Sequence, residues 1–239
     1  MNNQSSLRIL LWDIDGTLLR SARQGAYKDY MIPLLEGVFG ASGRLHELQV
    51  SGMTDLQLIA EALRDEGFTH EQIRGRVEHI RERYIIEMRR TTASEEMFHV
   101  LPGVRETLHS VSEHPRYVNA LLTGNFESAA RFKLELVGLN HFFELPGAFG
   151  DDSHDRRDLP EIAAARINKH LDRQLRPDEF IVIGDTPNDI ACAKHFGARS
   201  VAVATGRSHS ADHLRGFSPD AALEDLSDPT LAISIFDSL

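Results

Sequence analysis

Residues 7–19 read LRILLWDIDGTLL, an apolar run that ends in two carboxylates and a glycine. Such a run is typical of a parallel strand that is buried on both faces and needs no polar alternation. In an open α/β sheet, ligands bind where the strands reach their carboxyl ends. The stretch therefore predicts an α/β fold with an acidic site at the end of its first strand.

The two carboxylates, Asp13 and Asp15, are separated by Ile14. Because side chains alternate along extended chain, both are expected on the same side of the strand end. Two like charges at this spacing repel each other, and a bound divalent cation relieves that repulsion. An acidic turn without chemistry is the alternative, and further site residues elsewhere in the chain would argue against it.

Composition restricts the class of protein and its partners. The chain has 239 residues, 41% of them hydrophobic and 26% charged, which is ordinary for a folded globular protein. Its net charge of -10 disfavours nucleic acid and anionic membranes as partners. One cysteine, Cys192, excludes an intramolecular disulfide and fits a reducing compartment. With a polar N-terminus and no apolar run long enough to span a membrane, we expect a cytoplasmic protein.

The order of predicted elements indicates two domains. The pattern after Leu19 is helical and is predicted to remain so until Leu101, which is too much helix for an ordinary crossover. We therefore predict a doubly wound, Rossmann-like parallel sheet core (1–19 and 103–239) with an inserted α-helical cap domain (20–102). Beyond the insertion, strands alternate with helices, and the strands are predicted at 117–122, 180–183, 200–203 and, weakly, 221–222.

Residues 13–18, DIDGTL, match the D-x-D-G-T-L signature of the haloacid dehalogenase-like superfamily, and the chain resembles its phosphatases. The resemblance implies that Asp13 attacks the phosphorus of a phosphomonoester and forms an aspartyl-phosphate. It also implies that Asp15 protonates the leaving alkoxide and later takes a proton from water. Dehalogenases and ATP-driven pumps of the superfamily lack an acid at this second position, so Asp15 favours a phosphatase.

Two later loops match further elements of the superfamily in the expected order. Thr123 follows a predicted strand, and the resemblance implies that it binds the phosphoryl group together with the backbone N–H groups of Gly124 and Asn125. A turn that only caps the next helix is the alternative. Residues 184–189, GDTPND, match the G-D-x-x-x-D element. The resemblance then implies Mg²⁺ as the cofactor, with Asp13, Asp15, Asp185 and Asp189 as its ligands.

The chain departs from the family where a lysine is usual. Residues 150–160 contain no lysine, only Arg156 and Arg157. We assign Arg156 first, because the D-R-x-x-L pattern resembles a subset of phosphoglycolate phosphatase-like members, and keep Arg157 as the alternate. As a loop arginine, Arg156 is expected to be exposed and to contribute little to stability.

These features predict a Mg²⁺-dependent phosphatase that acts on a small phosphate ester. Arg20, Arg23 and the loop at 51–55 are candidates for facing the substrate. A sugar phosphomutase of the β-phosphoglucomutase type would use the same core residues and remains an alternative. A phospho-acceptor or binding protein without catalysis is a third possibility, which the intact pair Asp13 and Asp15 and the helical insertion disfavour.

Overall fold

The computed structural model describes residues 7–93 and 96–239. Its main sheet has five parallel strands. In spatial order they are β4 (Tyr117–Leu121), β1 (Arg8–Trp12), β5 (Phe180–Gly184), β6 (Arg199–Val203) and β7 (Ala221–Leu223). Trp12 at the end of β1 lies opposite Leu121 and Ile183, so the loops after these three strands start at the same edge. The predicted parallel sheet is confirmed.

The first strand is buried on both faces, as its apolar sequence predicts. Leu10 and Trp12 point into one hydrophobic cluster, while Ile9 and Leu11 point into another. All four side chains are fully buried, and burial of a large apolar side chain contributes about 1.5–3 kcal/mol. The strand is therefore fixed firmly, and so is the start of the loop that follows it.

Helices cover both faces of the sheet. They are α5 (Val104–Glu113), α6 (Glu127–Leu136), α7 (Leu159–Leu171), α8 (Pro187–Phe196), α9 (Ala211–Arg215) and α10 (Pro229–Ser238). Apolar residues of α5 and α10 belong to the cluster around Trp12, and those of α7 and α8 to the cluster around Leu11. This is the two-sided arrangement expected of a doubly wound fold.

Within its described residues, the insertion after β1 contains four α-helices. They are α1 (Lys28–Phe39), α2 (Asp55–Ala62), α3 (His70–Arg74) and α4 (Val77–Thr92). The rings of Tyr30 on α1 and Tyr84 on α4 lie 5.6 Å apart, within the range of a favourable aromatic pair. Among the described residues, no helix is both long enough and apolar enough to cross a bilayer.

The prediction of helix up to Leu101 is wrong at both ends of the insertion. β2 (Leu19–Ser21) and β3 (Phe98–Val100) form an antiparallel pair with Arg20 opposite His99. Strands of three residues are too short to show alternation, and the partner of each lies far away in sequence. The pair lies where the chain leaves and re-enters the main sheet. The division into a core (1–19 and 103–239) and a cap (20–102) remains a prediction.

Candidate active site

Three carboxylates converge at the carboxyl edge of the sheet. Asp13, Asp185 and Asp189 each offer an oxygen, and these oxygens all lie within 4.8 Å of one another. Asp13 follows β1 and donates its backbone N–H to the carbonyl of Ile183 on β5, at 2.9 Å. Asp185 begins the loop after β5. The pairing of β1 with β5 therefore brings together residues that are far apart in sequence.

The first turn of α8 supplies the third carboxylate. Thr186 caps this helix, and its N–H and Oγ1 donate to Asp189 Oδ2 at 3.0 and 2.7 Å. Pro187 occupies the first helical position, where its missing N–H has no cost. Because the cap engages one oxygen of Asp189, the other oxygen is left to face the cluster.

Arg156 is the cation of this cluster. Its Nη2 atom lies 2.5 Å from Asp189 Oδ1 and 3.1 Å from Asp13 Oδ1. The residue is only 6% exposed, so the expectation of an exposed loop arginine is wrong. Two carboxylates offset the cost of removing the guanidinium from water. Both carboxylates come from other segments of the chain, so the sequence of the loop alone does not reveal them.

Arg157 points in the opposite direction. Asp155 accepts a hydrogen bond from the backbone N–H of Arg157 at 2.9 Å and begins a short 3₁₀ turn at Arg156–Asp158. The exposed side chain of Arg157 pairs with the same aspartate. The turn therefore directs one arginine into the carboxylate cluster and leaves the other in solvent.

The carboxylates of this cluster carry more negative charge than its guanidinium can neutralise. Burial raises the pKa of Asp13 to about 6, in spite of the opposing effect of Arg156. The pKa of Asp185 is raised well above its usual range by burial and by the charges of Asp13 and Asp189. Three carboxylates beside one guanidinium thus carry an excess of negative charge, which either protons or a bound cation can compensate.

The donor set fits a divalent metal. Asp185 Oδ1 is buried and has no hydrogen-bond partner among the described residues. The space around this carboxylate depends on two glycines, because a Cβ at Gly16 or Gly206 would overlap it. Hard cations such as Mg²⁺ prefer carboxylate oxygen ligands, whereas zinc prefers nitrogen and sulfur. Asp13, Asp185 and Asp189 could therefore hold such an ion.

The side chain of Asp15 does not join this group. Its Oδ2 atom accepts hydrogen bonds from Lys133 Nζ at 2.6 Å and from Asn125 Nδ2 at 2.7 Å. The carboxylate is 40% exposed. Of the four predicted metal ligands, the structure thus brings the side chains of three together, because a lysine on α6 draws the fourth toward itself.

Lys133 is a site residue that the sequence motifs do not identify. Burial alone would lower the pKa of this ammonium, but Asp15, Tyr30 and Asp55 together more than offset that effect, so the pKa is raised. Ala129, Ala130 and Leu134 on α6 are buried as well. A lysine among residues that mark the buried face of an amphipathic helix was the signal that could have identified it.

Thr123 and its neighbours form a tight turn after β4. The Thr123 Oγ1 atom accepts from Asn125 N at 3.3 Å and from Asn125 Nδ2 at 2.9 Å. The carbonyl of Gly124 accepts the backbone N–H of Asp55 at 2.7 Å. A Cβ at position 124 would overlap the carbonyl of Met53, so only glycine permits this close approach of the insertion.

The loop at residues 52–55 is bound to the core at further points. Asn188 Nδ2 donates to the Gly52 carbonyl at 2.9 Å, and Thr54 Oγ1 donates to the His154 carbonyl at 3.1 Å. Arg20 is different. Its exposed side chain makes no hydrogen bond or ion pair with a site carboxylate within residues 7–93 and 96–239.

The fold and this cluster of carboxylates define a family. A family model described as haloacid dehalogenase-like hydrolase matches residues 7–197. The chain belongs to the haloacid dehalogenase-like hydrolases. The family and the hydrolase class that the DIDGTL motif predicts are thereby confirmed.

The chain is also similar to individual proteins of known sequence and structure. The chain is 25% identical over 227 residues to a phosphoglycolate phosphatase of Vibrio cholerae, with 92% of this chain and 94% of that protein covered. The crystal structure of a predicted phosphoglycolate phosphatase from Haemophilus somnus superimposes with a TM-score of 0.64 at 18% identity, covering 97% of this chain and 99% of that one. For a β-phosphoglucomutase from Clostridium difficile the TM-score is 0.66 at 16% identity, covering 97% and 98%. At these identities the structural likenesses show the fold alone.

Proposed function

We propose that this protein is a Mg²⁺-dependent phosphatase that hydrolyses a small phosphomonoester through an aspartyl-phosphate on Asp13. The observation that carries the proposal is the buried cluster of Asp13, Asp185 and Asp189 around Arg156. A carboxylate attacks a phosphoryl group only when the repulsion between their negative charges is offset. Arg156 lies beside Asp13 and supplies part of that compensation, and a Mg²⁺ ion held by the neighbouring carboxylates would supply the rest.

The chain's residues divide the reaction into two steps. An oxygen of Asp13 forms a bond to phosphorus while the ester P–O bond breaks, and Asp15 gives its proton to the departing alkoxide. Water then attacks the same phosphorus, Asp15 takes a proton from it, and the bond to Asp13 breaks, which releases inorganic phosphate. Asp13, Asp185 and Asp189 would hold Mg²⁺, whose charge would stabilise the phosphoryl oxygens.

Further residues bind the transferred group. We assign Thr123, with the backbone N–H groups of Gly124 and Asn125, to the phosphoryl oxygens, because this turn follows β4 next to Asp13. The helical insertion is assigned to the leaving-group side, where its loop at 52–55 approaches the core. Closure of such an insertion excludes water and restricts the size of the ester. Relatives named phosphoglycolate phosphatases favour a small, acidic ester over a large one.

A panel of phosphate esters tests the proposal. Purified protein with Mg²⁺ should release inorganic phosphate from at least one small alkyl ester, EDTA should abolish the release, and added Mg²⁺ should restore it. The Asp13→Asn variant serves as the matched control for contaminating phosphatases. Full activity in EDTA would contradict the proposal.

The same panel separates the alternatives. A phosphomutase would return the phosphoryl group to a second hydroxyl of a sugar phosphate, so the isomer would form faster than phosphate is released. A binding protein would show saturable affinity for an ester without turnover. Either result would replace the phosphatase assignment.

A further inference from the structure

Lys133, Asn125 and Asp15 form a closed triangle of hydrogen bonds. Lys133 Nζ donates to Asp15 Oδ2 at 2.6 Å and to Asn125 Oδ1 at 2.7 Å. Asn125 Nδ2 closes the triangle by donating to the same Asp15 oxygen at 2.7 Å. No hydrogen bond to Asp15 Oδ1 is found within the described part of the chain. One oxygen of Asp15 is thus bound twice, and the other is free.

The lysine is buried at considerable cost. Its side chain is 3% exposed, and removal of an ammonium from water costs several kcal/mol unless partners compensate. The other buried residues of α6 are apolar, and the ring of Phe98 lies 5.5 Å from the ammonium. An apolar residue would pack at this position with a smaller cost. The contribution of Lys133 therefore lies in its polar contacts.

The triangle lies where the core meets the insertion. Asp55, the first residue of α2, accepts the backbone N–H of Phe126 at 2.9 Å and attracts the ammonium electrostatically. Tyr30 on α1 interacts electrostatically with the same ammonium. The position of the Lys133 nitrogen is thus fixed by its hydrogen bonds to Asp15 and Asn125, and polar groups from two helices of the insertion favour its charge.

We propose that Lys133 is a positioning residue that, together with Asn125, fixes Asp15 Oδ2 so that Oδ1 faces the leaving group. This inference rests on the proposed function, because it gives Asp15 a defined orientation in that reaction. The two donors on one side of the carboxylate restrict its rotation, and a proton can then be exchanged only through the opposite oxygen. Such preorganisation contributes to rate without any contact between Lys133 and the substrate.

Lys133→Met tests this role, because methionine fills a similar volume without a charge or donor. We expect kcat for an alkyl phosphate such as glycerol 2-phosphate to fall about 10- to 100-fold with little change in KM. For p-nitrophenyl phosphate, whose leaving group needs little protonation, the loss should be no more than a few fold. Exposed Lys169 provides the control, since Lys169→Met should behave as wild type.

A double variant distinguishes positioning from general damage. If Lys133 acts through Asp15, then Lys133→Met combined with Asp15→Asn should be no slower than Asp15→Asn alone. Equal losses on alkyl and aryl esters, or losses that multiply in the double variant, would overturn the proposal. If Lys133→Met does not fold, Lys133→Gln is measured in the same way, because its shorter amide does not reach Oδ2.

A readout without activity separates this proposal from the phosphatase assignment. Crystal structures of the wild type and of the Lys133→Met protein should show the Asp15 carboxylate rotated away from Asn125 in the variant. An unchanged Asp15 would refute the positioning role even if the enzyme were an active phosphatase. A wild type that releases no phosphate would instead refute the proposed function, while the two crystal structures would still decide whether Lys133 orients Asp15.

Discussion

Asp13 and Asp15 follow the same strand and lie two residues apart, yet their side chains join two groups that differ in their balance of positive and negative charge. Asp13 joins Asp185 and Asp189 around a single guanidinium, that of Arg156. Asp15 instead pairs with the ammonium of Lys133. The first group carries an excess of buried negative charge, whereas Asp15 has its own counter-ion.

This difference supports the proposed separation of metal binding from proton transfer. A buried excess of negative charge favours a cation or protons. Burial, with a smaller contribution from the charges of Asp189 and Asp15, raises the pKa of Asp13 to about 6 against the effect of Arg156. A carboxylate that already has a counter-ion and is 40% exposed does not need a metal. One strand end can thus present both a nucleophile next to a metal site and a separate acid for the leaving group.

The largest expected effect distinguishes the two aspartates. Asp13→Asn should abolish turnover, because an amide cannot form the aspartyl-phosphate. Asp15→Asn should slow alkyl esters by about 10²–10⁴-fold, the usual contribution of general acid catalysis, and aryl esters by less. Steady-state kinetics with both kinds of ester, and acid-quench detection of phosphoenzyme, provide the measurements. Equal losses on both esters for Asp15→Asn would mean that Asp15 has only a structural role.

The next largest effect concerns the cation of the first group. Arg156→Ala should lower kcat/KM by at least tenfold, on the scale of the roughly 2–4 kcal/mol lost with one electrostatic contact to a transition state. The burial of Arg156 adds a second consequence. Its removal leaves the carboxylates uncompensated and should destabilise the metal-free protein by about 3–5 kcal/mol.

Two measurements check this prediction. Chemical denaturation in EDTA should show the loss of stability, and Mg²⁺ should restore part of it. Arg156→Lys should recover activity only partly, because the shorter lysine side chain does not extend as far as Arg156 Nη2, the atom that contacts both carboxylates. A fully stable Arg156→Ala protein in EDTA would show that the cluster does not depend on this cation.

Sequence alone could predict the parts of the site that depend on strand ends. Asp13 and Asp185 follow strands whose apolar runs are unmistakable, and parallel strands bring their ends to one edge. Asp189 is predicted because residues 184–189 match the G-D-x-x-x-D element of the family that the chain resembles. These placements require only short motifs and the general topology of an open sheet.

The remaining features depend on contacts between distant segments. Whether Arg156 is buried depends on two aspartates that lie 33 residues or more away in sequence. The role of Lys133 depends on Asp15, 118 residues away. The pair β2 and β3 arises only when both ends of the insertion meet. No local periodicity contains such information, so these features required the structure.

A smaller effect concerns the pH dependence of the metal-free protein. The pKa of Asp13 is raised from 3.8 to about 6, mainly by burial. Below 3.8 the group is protonated in the folded and unfolded states alike, and it has no effect. Between pH 3.8 and 6 the group ionises in the unfolded state before it does so in the folded state, so stability falls as the pH rises, and above 6 the penalty levels off at about 3 kcal/mol.

Comparison with Asp13→Asn isolates this penalty. In EDTA, the variant should be more stable than the wild type at pH 7.5, and the difference should disappear toward pH 4. Mg²⁺ should stabilise the wild type most at the higher pH, because it competes with protons for the same carboxylates. Thermal unfolding between pH 4 and 8 measures both effects. A difference that does not vary with pH would contradict the excess of charge in this cluster.

The smallest effect is expected at Arg157, which adjoins Arg156 in sequence but is exposed and pairs with Asp155. The hydrogen bond from Arg157 holds the pKa of Asp155 at about 2, so this pair acts above pH 3.8 and is lost as the pH falls through 2. Exposed ion pairs contribute little and are screened by salt. Arg157→Ala should therefore keep kcat/KM within about twofold of wild type and leave the unfolding temperature unchanged.

The decisive comparison is with Arg156→Ala under identical conditions. If Arg157→Ala were instead the inactive variant, the buried side chain of Arg156 would not contribute to catalysis. The substitute for the family's lysine would then lie one residue later, on a side chain that would have to leave Asp155 to reach the phosphoryl group.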